Sequence, residues 1–109
     1  MLELDPDYHA AHYRLGISLY HEGELERALE HFESALSLTP EYLMAHYHLG
    51  VICRRLGRNE PARREFEHVL EFNLKDRSAR YHLAQVYRAL GRDEEAEESL
   101  RGAGEFRED

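Results

Sequence analysis

The sequence predicts an all-α chain, a solenoid of antiparallel helix pairs, and three observations carry that prediction. The chain repeats itself every 34 residues: 9–42 shares 11 of 34 positions with 43–76, and 43–76 shares 12 of 33 with 77–109. Unrelated segments of this composition would agree at about two or three positions. Inside each unit the apolar residues follow a helical period. Between the two periodic stretches of each unit stands a glycine, at Gly23, Gly57 and Gly91.

The first unit shows the plan. His12, Leu15, Gly16 and Leu19 fall at i, i+3, i+4 and i+7, one face of a helix predicted over 9–21. Gly23 stops it, since glycine adopts a positive φ at little steric cost. Leu25, Ala28, Leu29, Phe32, Ala35 and Leu36 resume the period over 25–38. In the second unit the helices are predicted over 43–55 and 60–72, with Asn59 as N-cap and Pro61 in the first turn, where a missing N–H is tolerated. The third unit gives 77–89 and 93–101 with Asp93 as N-cap; Gly102 and Gly104 predict fraying beyond that point. The small residues Gly16, Gly50 and Ala84 are expected to face Ala28, Ala62 and Ala96, so that paired backbones approach closely.

The pattern Leu-Gly-x6-Gly-x4-Ala-x3-Phe, carried by Leu15, Gly16, Gly23, Ala28 and Phe32 with Pro40 closing the unit, resembles the tetratricopeptide repeat. It covers essentially the whole chain, and departs from the family at His12, His46 and Arg80, where a tryptophan is common. The resemblance implies a right-handed superhelix whose first helices line a concave groove. It divides one domain into repeats at 9–42, 43–76 and a degenerate 77–109. Residues 1–8 read as the end of a preceding repeat, since Leu4, Asp5, Pro6 and Asp7 match Leu38, Thr39, Pro40 and Glu41. The chain is therefore expected to be a piece of a longer array, with apolar end faces through which it would dimerise.

Composition narrows the function. With 22 acidic against 14 basic residues the formal charge is −8, which argues against a nucleic-acid or anionic-membrane partner. One cysteine forms no intrachain disulfide, and no apolar run reaches bilayer length. MLELDPDY lacks the basic start and apolar stretch of a secretory signal, so a cytoplasmic location is expected, any targeting segment belonging to a parent protein.

Beyond the stripe needed for packing, the first helices carry a second one. It runs Tyr13, Ile17, Tyr20 and His21, then Tyr47, Val51, Arg54 and Arg55, then Tyr81, Gln85, Arg88 and Ala89, with Arg14, His48 and His82 alongside. Spacing of i, i+4, i+7 and i+8 puts each set on one helix face. Tyrosine and arginine are enriched at binding hot spots. The basic residues also concentrate here: residues 1–40 hold 2 against 8 acidic groups, whereas 41–74 hold 5 and 5. A protein or peptide with acidic and apolar side chains is the expected guest, and Tyr47→Ala is expected to weaken binding with little effect on folding. The competing reading has the tyrosines packing between repeats and the arginines pairing with glutamates. Where some family members grip a C-terminal carboxylate with lysine and asparagine, this chain has Tyr13, Ile17, His48, Ser78 and His82.

No catalytic or cofactor motif is present: there is no phosphate loop, nucleophile elbow or HExxH. The eight histidines suggest a metal, but no Cys, Asp or Glu joins them at ligand spacing. His9 and His12 are placed to share a ligand, and His48 and His82 to approach each other on adjacent first helices. Protonating all eight would carry the charge from −8 to zero near pH 6 and promote association. Cys53, aligned with Leu19 and Tyr87, reads as an inert core thiol. The chain is expected to be a non-catalytic interaction module. The alternatives are a self-associating scaffold and, third, an RNA-binding or enzyme-associated repeat.

Overall fold

A computed structural model describes residues 8–73 and 76–105, with side chains for 9–73 and 76–101. Among the described residues six helices follow one another: α1 (Tyr8–His21), α2 (Leu25–Leu38), α3 (Leu43–Arg55), α4 (Asn59–Phe72), α5 (Arg77–Ala89) and α6 (Asp93–Glu105). No strand occurs among the described residues. α1 packs on α2, α3 on α4 and α5 on α6; α2 then meets α3, α4 meets α5, and α3 touches α5. The stack is elongated, 51 × 30 × 19 Å.

The sharp reversal inside each pair comes from the glycines. Gly23, Gly57 and Gly91 have φ of 82°, 80° and 79°. Each ends its helix in the same Schellman arrangement: Gly23 N–H donates to the Tyr20 carbonyl (3.0 Å) and Glu24 N–H to that of Leu19 (2.9 Å). Gly57 and Arg58, and Gly91 and Arg92, repeat it on Arg54 and Cys53 and on Arg88 and Tyr87. This turn also corrects the expected caps. The residue after the glycine is already the N-cap, so α4 is preceded by Arg58 with no side-chain cap bond, and Asn59 is its first helical residue. Asp93 likewise opens α6. A side-chain cap is found at Asp76, whose Oδ1 accepts from Ala79 N–H at 3.0 Å. α6 does not stop at 101 but continues through Gly102 and Gly104 to Glu105.

Ala28, Ala35, Ala45, Ala62, Ala79, Ala84 and Ala96 are fully buried with Phe32, Phe66, Ile52 and Val86. The glycines of the first helices, however, face the phenylalanines. A Cβ on Gly16 would stand 2.9 Å from the Phe32 ring, and one on Gly50 2.9 Å from that of Phe66. In the third pair the glycine is Ala84 and the phenylalanine is Leu100, which packs on the same core cluster. A methyl gained on one helix is matched by a ring lost on the other.

Leu15 departs from its expected place in the core: it is 50% exposed, whereas Leu49 and Leu83 are 6% and 4% exposed. The two buried leucines sit on helices α3 and α5, which pack against the preceding pair, and no helix among the described residues covers that face of α1. The expected remnant of a preceding repeat lies outside the described residues apart from Tyr8, which opens α1.

Candidate partner-binding groove

Two of the three tyrosines predicted to form a ladder, Tyr13 and Tyr47, are half-buried and structural. Tyr13 meets the rings of Phe32 (5.6 Å), Tyr42 (5.2 Å) and His48 (5.5 Å). Tyr47, 34 residues on, meets Phe66 (5.9 Å) and His82 (5.7 Å) edge-on. His48 and His82 do not approach each other; each lies flat on a phenylalanine, His48 on Phe32 at 15° and His82 on Phe66 at 6°. Each junction between pairs is thus built from one tyrosine, one phenylalanine and one histidine drawn from three successive helices. Tyr81 belongs to the third pair and is 54% exposed. The expectation that Tyr47→Ala spares folding is therefore corrected, because that ring wedges between two pairs.

The remaining stripe divides by exposure. Arg14, Arg55 and Arg88 are exposed, and Ile17, Tyr20, Arg54, His82 and Gln85 half-buried. Val51 is a core residue, 7% exposed and clustered with Phe66 and Leu83, and leaves the binding set. Arg55 holds its guanidinium over the Tyr20 ring at 5.2 Å. Arg54 reaches His82 Nδ1 at 3.3 Å.

Beside these residues lies an open recess of about 350 Å³, lined by Leu43, Met44, Tyr47, His48, Val69, Asn73, Asp76 and Ser78. The sequence reading missed Met44, Asn73 and Asp76 as lining residues. Met44 offered a signal: it occupies the first-turn position equivalent to Ser78, and it is 54% exposed.

The charges sort by face. Arg58 pairs with Glu26 (3.2 Å), Arg63 with Glu60 (2.8 Å) and Glu67 (2.9 Å), and Arg92 with Glu95 (2.7 Å). Among the described residues, Arg54 and Arg55 have no carboxylate within ion-pair distance and face rings instead.

The histidines are spent on packing. His9 meets Tyr42 at 5.0 Å while His12 turns to His31, so the two diverge. His46 stands between the Pro40 carbonyl (2.8 Å) and Glu65 (2.7 Å). At the position where the family favours tryptophan, the chain thus makes polar contacts to the paired helix. Among the described residues no three His, Cys, Asp or Glu gather as a metal site, and no helix is long and apolar enough to cross a membrane. Cys53 is buried, its thiol pushed up by burial.

Burial against the phenylalanines also lowers the pKa of His48 and His82. A histidine disfavoured as imidazolium in the fold binds fewer protons there than in the unfolded chain. Its contribution to stability is complete above about pH 6.5 and is lost as pH falls through the lowered folded value. We expect thermal stability to decline below pH 6.5, and less steeply in His48→Gln/His82→Gln, as followed by circular dichroism. The same shifts keep the chain more acidic at pH 6 than eight free imidazoles would make it.

No curated protein matches the sequence. Among solved structures, MamA from Desulfovibrio magneticus RS-1 superposes with a TM-score of 0.88 at 25% identity, over 94% of this chain and 58% of its own. A tetratricopeptide repeat protein from Parabacteroides merdae ATCC 43184 gives 0.89 at 25% identity, over 95% of this chain and 41% of its own. The chain thus spans less than two thirds of the length of these relatives. Two models of the tetratricopeptide repeat match, one over residues 7–75 and the other over 54–109. Since these overlap in the middle repeat, where the helix pairs and glycine turns are in register with those on either side, the chain belongs to the tetratricopeptide repeat family.

Proposed function

We propose that the chain is a non-catalytic module that holds a segment of a partner protein in the groove along α1, α3 and α5. The repeat array is a protein–protein interaction scaffold; the finer reading rests on one observation. An open recess holding the exposed Met44 adjoins a wall on which Arg54 and Arg55 have no carboxylate partner among the described residues. Recess and wall together suit a segment that is apolar in part and acidic in part.

The test uses residues that folding does not need. Met44 and Tyr81 are each 54% exposed, so Met44→Glu and Tyr81→Ala should unfold with wild-type midpoints and each weaken partner capture by about 1–2 kcal/mol. Capture from the source organism's lysate, quantified for wild type and both variants, checks this. Equal recovery by all three would move the contact off the groove.

A second reading, docking of another copy of the chain on the outer face of α1, is favoured by the half-exposed Leu15. A mass that rises with concentration and falls back in Leu15→Glu would support it.

A further inference from the structure

We propose that Arg54 and His82 together form a site for a carboxylate side chain of the partner, and that filling this site takes up one proton. The proposal rests on the groove reading above and names the chemistry of one contact within it.

The two equivalent histidines are held in opposite tautomers. His48 Nδ1 lies 3.0 Å from the Met44 carbonyl, which only accepts, so that nitrogen carries the proton; the Tyr13 hydroxyl lies 3.2 Å from it. His82 Nδ1 lies 3.3 Å from Arg54 Nη1, which only donates, so that nitrogen offers a lone pair and the ring is neutral. A half-buried guanidinium turned towards a neutral imidazole, with no carboxylate partner among the described residues, lacks the counter-charge that Arg58, Arg63 and Arg92 have. Most of its donors remain available to an anion.

The groups facing His82 are Arg54 and Tyr47 from α3, Phe66 from α4, and Tyr81 and Asp76 from α5 and its N-cap. Burial against Phe66 and the Arg54 charge hold the ring neutral, while Asp76 acts the other way. A carboxylate arriving at Arg54 neutralises the guanidinium and draws its donors away from Nδ1. It also gives an imidazolium an opposite charge to face. The ring then takes a proton from solvent, and both cations hold the anion.

The probe is an end-blocked hexaglutamate peptide, with hexaglutamine as control, titrated by NMR. Amide shifts in α3 and α5 give the affinity, and the His82 ring proton gives its titration in the free and bound states. Hexaglutamate should move the His82 titration upward. It should bind at least about threefold tighter at pH 6.0 than at pH 7.5, below the ceiling of about tenfold per pH unit that one linked proton sets. Arg54→Gln should weaken binding at both pH values. His82→Gln should bind with a flattened pH dependence, and His48→Gln should keep the wild-type slope. Binding at α3 and α5 with no pH dependence, or an unmoved His82 titration, would overturn the proton linkage and leave the groove reading standing. Absence of α3 and α5 shifts with hexaglutamate would overturn the carboxylate site, while lysate capture decides the groove reading separately.

Discussion

Phe66→Ala is expected to cost about 3–5 kcal/mol of stability, the usual range for removing a fully buried aromatic ring, and to loosen the third helix pair from the other two. Phe66 is 0% exposed. On α4 it fills the space opposite Gly50 of α3, takes the edge of Tyr47 and carries His82 of α5 flat on its face. It therefore joins the second pair to the third as well as closing the second on itself. In a repeat array each unit contacts only its neighbours, so a weakened junction separates the unfolding of the parts it joined. Denaturant unfolding should show the loss, and amide exchange should accelerate most in α5 and α6. A loss under about 1 kcal/mol, or exchange that quickens evenly through all six helices, would remove the junction role from this residue.

Gly50→Ala is expected to destabilise the wild-type chain by about 1–2 kcal/mol, although alanine is the better helix former by about 1 kcal/mol. The added Cβ would lie 2.9 Å from Phe66 Cζ, and overpacking a closed core outweighs the propensity gain. In a Phe66→Leu background the sign should reverse, because that pair reproduces the Ala84 and Leu100 combination of the third unit. A double-mutant cycle by denaturant unfolding should yield a coupling of at least about 1.5 kcal/mol. Additive effects would mean that the glycine is kept for some other reason than the ring.

Much of the fold was legible in one dimension because it is made of local periods. The predicted spans 25–38, 43–55 and 77–89 agree with α2, α3 and α5 to the residue. Helical spacing and a glycine that must take a positive φ are both properties of short stretches. The cap assignments at Asn59 and Asp93 missed by one residue. A Schellman turn uses the residue after the glycine to start the next helix, and that geometry overrides the capping preference of the residue beyond.

The groove was legible only as a stripe. Helical period places Tyr13, Val51 and Tyr81 on equivalent faces, yet the first is half-buried at a junction, the second is core and the third is exposed. Period tells which residues share a face; it does not tell how far the neighbouring pair tilts over that face.

The sequence alone determined the repeat length, the helices, the turns and the excess of tyrosine and arginine on the first helices. The tertiary structure decided that glycine opposes phenylalanine, that Met44 and Asp76 border the groove, and that His48 and His82 hold opposite tautomers. Those outcomes depend on contacts between residues far apart in the chain, such as Tyr13 with His48 at a separation of 35 and Arg54 with His82 at 28. Glycine meets phenylalanine through the packing of two helices within a pair, and the two histidines meet their partners through the stacking of one pair on the next, relations that no single helix encodes.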